Sequence, residues 1–168
     1  MTHRWKPHVT VAAVIERDGR FLLVEERTAE GLQLNNPAGH LDPGESPAEG
    51  CIREVLEETA HPFTPEALVG IYLSRSVRER AHGPEDITYL RFAFCGAAGQ
   101  AIDGWVLDHG IVRTVWLTPD EVRASRDRHR SLLVLQCMED YLRGQRYPLE
   151  LVQTDASVWA PRTTLPKS

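Results

Sequence analysis

Glu54, Glu57 and Glu58 stand at positions i, i+3 and i+4 of one short stretch, GHLDPGESPAEGCIREVLEETAH, residues 39–61. On a helix the three carboxylates project as neighbours, and like charges at that spacing repel. Arg53 can pair with Glu57 one turn on, but one guanidinium cannot neutralise three carboxylates, whereas a hard divalent cation with oxygen ligands can. The spacing therefore predicts a Mg²⁺ site.

The elements that must position it read outward from there. Ser46 suits a helix N-cap, Pro47 the first helical position, and Glu49 completes a Ser-x-x-Glu capping box, so a helix is expected from Pro47. Pro62 disfavours helical geometry at His61, which ends the helix at about Ala60. Ala48, Cys51, Ile52, Val55, Leu56 and Thr59 share an arc and are expected to face the core, with the glutamates on the other side. Ahead of the helix, Gly39, Pro43 and Gly44 form a tight loop whose amides and carbonyls can point at a bound group.

Residues 8–16 and 21–26 read as strands joined at Asp18-Gly19, a hairpin signal. Residues 28–32 read as a polar loop, and residues 33–36 and 67–73 as further strands. The segment SRSVRERAHGPED, residues 74–86, reads as a long mobile hairpin loop before a strand at 87–95. Its Arg75, Arg78, Arg80 and His82 are expected to be solvated, with the capacity to hold phosphate oxygens. Residues 96–110 read as a weakly ordered connection, and residues 111–117 as a strand with Trp116 turned inward. Thr118-Pro119-Asp120-Glu121 repeats the capping box before a short helix. Leu132, Leu133, Leu135, Met138, Tyr141 and Leu142 recur at helical spacing within residues 131–142, a helix expected to pack on the sheet and end at Gly144. Short strands with few helices and no regular βαβ units predict an α/β class fold, an α/β/α sandwich with a mixed sheet. One domain is expected over residues 1–153, with an irregular tail over residues 154–168.

A chain of 168 residues, 42% of them hydrophobic, has material for one good core and is long enough to be stable as a monomer. The formal net charge of -5 argues against nucleic acid as a partner. No run is long enough to span a bilayer, and the first residues lack the apolar region of a signal peptide, so a soluble, cytoplasmic protein without a membrane partner is expected. Cys51, Cys95 and Cys137 are odd in number and lack metal-type spacing, which predicts reduced core cysteines.

As a pattern, Gly39, Glu45, Arg53, Glu54, Glu57 and Glu58 resemble the box of the Nudix hydrolase family: a glycine, five residues, a glutamate, seven residues, then Arg-Glu-x-x-Glu-Glu. KPHVTVAAV near the start, NNPAGHLDPGE and GQRYPLE are similar to NudJ-type phosphatases of that family. Ala60 departs from the pattern, standing where the family has glycine, and so does His61, where an apolar residue is usual. The resemblance implies a Nudix-like sandwich with a catalytic loop and helix, and hydrolysis of a phosphoanhydride in a small organic diphosphate with Mg²⁺ or Mn²⁺. It implies Glu57 and Glu58 as metal ligands, Glu54 ligating or polarising the attacking water, the Ala38 carbonyl as a further ligand, and Arg53 orienting the glutamates. Glu45 is a structural or outer-metal candidate. Asp108 is the candidate base outside the box, and His40, Lys6, Arg91 and Arg146 are candidates for holding the substrate, although Arg91 also fits the wet face of a strand. The implied substrates are nucleoside di- and triphosphates and 4-amino-2-methyl-5-hydroxymethylpyrimidine diphosphate, with release of phosphate. A pyrophosphatase for another nucleotide derivative and a non-catalytic nucleotide sensor are the alternatives, the latter disfavoured by the complete set of glutamates.

Overall fold

The computed structural model describes residues 4–80 and 83–161, and for Arg80 the backbone alone. β1 (His8–Val14) lies inside the first sheet and is buried on both faces, which is why its sequence is a nearly continuous apolar run. It pairs antiparallel with β5 (Ala38–His40) and parallel with β7 (Gly83–Ala98). β7 pairs antiparallel with β6 (Phe63–Arg80), giving the order β5-β1-β7-β6. In a second, antiparallel sheet β3 (Arg20–Thr28) pairs with β2 (Glu16–Arg17), β4 (Gly31–Asn35) and β8 (Ile111–Leu117).

Helices cover both sides. α1 (Pro47–Thr59) sets Cys51 and Val55 against Val11, Ala13, Ile15, Leu22, Phe63, Leu68 and Phe94. On the opposite side α2 (Pro119–Ala124) and α3 (Leu133–Leu142) bring Val122, Val134, Cys137 and Met138 against Val14, Phe21, Leu23, Val69 and Ala93. This is the α/β/α sandwich with a mixed sheet that the element pattern predicts. A fully buried aliphatic side chain contributes about 1.5–3 kcal/mol, more than a 13-residue helix gains from propensity, so packing holds α1 in place. Cys51, Cys95 and Cys137 are free and buried. Among the described residues no helix is long and apolar enough to cross a membrane.

Several expectations are corrected. Residues 74–80 and 83–86 form no loop: β6 and β7 continue as a two-stranded ribbon in the register Ser74↔Tyr89, Ser76↔Ile87 and Arg78↔Glu85. Arg75 bonds Asp86 across the ribbon at 2.6–2.7 Å, so the charges that suggested a solvated loop are cross-strand partners. His82 lies outside the described residues. A bulge between Pro65 and Ala67 absorbs a proline that cannot donate to the ladder, and a second falls between Leu68 and Gly70. Residues 28–32 are the end of β3, a turn at Ala29-Glu30 and the start of β4, with Gly31 at φ 106.

The connection after β7 is shorter and more firmly tied than expected, because β7 runs to Ala98. The Gly99 amide donates to Pro62 O at 2.8 Å, Ile102 to Ala60 O at 2.9 Å and Asp108 to Glu57 O at 3.0 Å. Leu132 precedes α3 and is 71% exposed, and Leu142 is 44% exposed, so neither completes the expected core stripe. Trp116 is half-buried, with the Arg17 guanidinium 4.9 Å from its ring centroid. In the tail, Leu149 and Val152 pack on the α1 side of the core, and Trp159 Nε1 donates to Glu49 Oε2 at 2.9 Å.

Candidate functional site

α1 begins as its sequence dictates: Ser46 accepts from the Glu49 amide, and Glu49 accepts from the Ser46 amide. It ends differently. Ala60 takes the left-handed conformation at φ 62 that usually falls to glycine, so the exit does not rely on Pro62 alone. The buried arc is also rotated from the expected one. Ile52 is exposed at 37%, whereas Glu54 and Glu58 are buried at 8% and 7%. Two of the three carboxylates therefore lie beneath the preceding loop rather than in solvent.

Arg53 organises that acidic face. Its Nε and Nη2 donate to both oxygens of Glu45 at 3.0 and 2.8 Å, and its Nη1 donates to Glu54 at 2.8 Å and Glu57 at 3.0 Å. Nη2 also donates to the His40 carbonyl at 3.0 Å, which fastens the loop to the helix. Glu45, which the Asp42 amide bonds at 2.7 Å, is thereby held as part of the clamp, and the Arg53 guanidinium lowers its pKa. Gly39 is required by close approach, since a Cβ there would overlap the Glu54 carboxylate.

Glu58 accepts a hydrogen bond from the Ala38 amide at 2.9 Å. Burial pushes its carboxyl up to about 8, and the charges of Glu54, Glu26 and Asp108 add to the rise. Glu54 is also raised, by burial first, then by Glu57 and Asp108 against the opposing pull of Arg53. Among the described residues no three acids or histidines converge on one point as they stand, and Arg53 bridges Glu54 and Glu57. The donor chemistry nevertheless fits a hard divalent cation: helix-borne carboxylates, desolvated and mutually repelling, beside the backbone of Ala38.

Next to the helix opens a cleft of about 400 Å³ lined by Ala38, Gly39 and His40 of β5, Ser74, Ser76 and Arg78 of β6, Tyr89 and Arg91 of β7, with Glu26, Asn35 and Arg130. Arg91 is 8% exposed and lies in this wall, not on a wet strand face. The His40 ring sits 5.6 Å from His8 and 6.3 Å from Tyr89, and burial together with His8 lowers its pKa, so at neutral pH it offers an uncharged imidazole. Asp108 is exposed beyond the last turn of α1, held by its amide bond to Glu57, and adds to the charge felt by Glu54 and Glu58. Lys6 is exposed ahead of β1 and outside the cleft lining. Arg146 is placed elsewhere: it stacks 3.7 Å from the Tyr141 ring centroid and donates to the carbonyls of Tyr141 and Gln145 beyond α3. Sequence reasoning missed Glu26, Asn35, Arg130 and Tyr89. The signal for the ribbon residues was parity, since even positions of β6 and odd positions of β7 share the cleft face.

The NUDIX domain matches residues 6–136. Phosphatase NudJ of Escherichia coli strain K12 is 36% identical over 149 residues, which cover 88% of this chain and 92% of that protein. A NUDIX hydrolase from Nitrosomonas europaea has 51% sequence identity and superposes with a TM-score of 0.81, covering 89% of this chain and 98% of its own. The MutT protein from Methanosarcina mazei Go1, at 19% identity and TM-score 0.64 over 86% of this chain and all of the other, shares the fold.

Proposed function

The chain belongs to the Nudix hydrolase family, enzymes that hydrolyse pyrophosphate bonds in small molecules and generally use divalent metal ions, and from that premise we propose a Mg²⁺-dependent phosphatase. Its substrates are nucleoside di- and triphosphates and related organic diphosphates, 4-amino-2-methyl-5-hydroxymethylpyrimidine diphosphate among them, and its product is orthophosphate. The observation that carries this is the pair Glu54 and Glu58, buried and raised in pKa beneath the glycine loop, where ionising both carboxyls calls for more cation than Arg53 supplies.

Glu54, Glu57 and Glu58, with the Ala38 carbonyl, would hold the cation, Mn²⁺ serving in place of Mg²⁺. The bound ion would supply Lewis-acid chemistry, polarising a phosphoryl oxygen and lowering the pKa of water. The chain does the positioning. Arg53 fixes the Glu54 and Glu57 carboxylates by charge-assisted bonds while Glu45 anchors the other side of its fork. Asp108, at the open side of the helix, accepts the proton of the attacking water. Arg91 and the neutral His40 face the organic part of the substrate. Lys6 lies on the His8 end of β1, where it adds positive charge outside the lining.

Phosphate release from these diphosphates with Mg²⁺, its suppression by a chelator, and product identification by phosphorus NMR test the proposal together. Turnover that survives Glu57→Gln sinks it, and pyrophosphate as product favours a pyrophosphatase for another nucleotide derivative.

A further inference from the structure

The cleft has a polarity that diphosphate hydrolysis does not require. Ala38 and Gly39, behind which Glu58 and Glu54 pack, form one part of its lining; elsewhere the wall carries Arg78, Arg91 and Arg130 with Glu26 as the single acid among the lining residues, while Arg75 is taken up by Asp86 on the other face of the ribbon. The chain as a whole carries a net charge of -5, so a concentration of arginine around one cavity is local and not a reflection of composition. Arg130 Nε lies 3.3 Å from Glu26 Oε1 as an ion pair, and Arg78 Nη1 lies 3.9 Å from Glu30 Oε2 at the surface. Arg91 feels the charges of Glu26 and Glu58 and contacts Cys137, yet its Nε and Nη1 are buried and find no hydrogen-bond partner in the protein among the described residues. A buried guanidinium with open donors is costly unless an anion completes it. Arg78 stands at the rim, its Nε donating to Ser76 Oγ at 3.1 Å and its Nη2 to the Arg130 carbonyl at 3.4 Å, and Ser74, Ser76 and Ser131 add hydroxyls to the same wall.

We infer that this arginine-lined end binds a second oxyanion group, carried on the organic half of the substrate away from the scissile anhydride. The enzyme is then tuned to diphosphates that are anionic at both ends. Planar guanidinium forks and hydroxyls suit the three oxygens of a phosphate monoester, and Arg91 lies where that group would reach deepest. The inference rests on the hydrolase reading for the location of the scissile end and adds the class of group at the other end.

Adenosine 5′-diphosphate and its 3′-phosphorylated counterpart make the test pair, compared by kcat/KM and, independently of turnover, by calorimetric affinity with Ca²⁺ present. Wild type is expected to favour the 3′-phosphorylated compound by about 10- to 100-fold, the range expected for one or two charge-assisted hydrogen bonds. Arg78→Gln and Arg130→Gln are expected to shrink that preference through KM, and thermal melting confirms that each variant is folded. A 3′-carboxymethyl analogue separates phosphate recognition from general anion recognition. No preference in wild type, or equal losses on both compounds in the variants, overturns the inference, because the arginines would then serve the common diphosphate or nothing. Turnover lost with the binding preference intact sinks the hydrolase proposal and leaves this one standing.

Discussion

Beside the cleft stand an acidic end, on α1, and a basic end, on the cleft wall, and they are built by opposite means. The acidic end is local: Glu45, Arg53, Glu54, Glu57 and Glu58 fall within 14 consecutive positions, and one guanidinium bonds four of their side-chain or loop partners. The basic end is assembled from β6, β7 and the segment before α3, and no two of its arginines share a helical turn. A local site is stiff because its parts share one helix. A dispersed site takes its geometry from the sheet, so it depends on strand register and can be retuned residue by residue without disturbing the helix.

The largest effect tests the acidic end. Glu58→Gln is expected to lower kcat by about 10³-fold or more while the fold persists, as loss of a cation ligand does in metal-assisted hydrolysis. Steady-state kinetics across Mg²⁺ concentrations check it, and a near-wild-type rate would mean that the acids are structural. Arg53→Ala should follow, with activity down about 100-fold and stability down about 1–3 kcal/mol, because Glu54 and Glu45 both lose the guanidinium that bonds them. Denaturant unfolding measures the second number.

A smaller effect is the pH dependence of the metal-free protein. The Glu58 carboxyl sits at about 8 in the fold and in the ordinary carboxylate range when unfolded. The folded chain therefore keeps that proton where the unfolded chain has released it, and this contribution to stability is full at low pH and lost as pH rises toward about 8. In a chelator, the melting temperature of wild type relative to Glu58→Gln should fall between pH 5 and pH 8. A difference that stays flat would show that burial does not hold the proton. The smallest effect lies at the helix exit: Ala60→Gly relieves a non-glycine residue at φ 62 and should stabilise by about 0.5–1 kcal/mol, read as a few degrees of melting temperature. If the variant melts lower, unfolded-chain entropy outweighs the strain.

Legibility follows the same division. The capping box, the Arg53 pairing with Glu57, and the alternation of buried strands were readable because each depends on residues a few positions apart. The rotation of α1 that buries Glu54 and leaves Ile52 exposed was not, since it is decided by what packs on the helix from β1, β6 and the glycine loop. The ribbon was misread because serines and arginines carry little strand propensity of their own, and only pairing with residues 83–90 supplies the ladder. With that segment taken for a loop, its parity went unused, and Arg78 and Tyr89 were not placed beside Arg91. Arg146 shows that nearness alone is not enough: Tyr141, its stacking partner, is five positions away, but the turn at Gly144 that follows α3 is what folds the guanidinium back onto the ring.

The three amide bonds that tie Gly99, Ile102 and Asp108 to the carbonyls of Pro62, Ala60 and Glu57 carry one more consequence. They make the last turn of α1 and the segment after β7 a single opening unit, so these amide protons should exchange with deuterium on a common clock. Every opening of that unit exposes the carbonyl end of the helix and frees Asp108, already at the surface, from Glu57. How often the fold breathes there limits how long the acidic end and Asp108 stay in register.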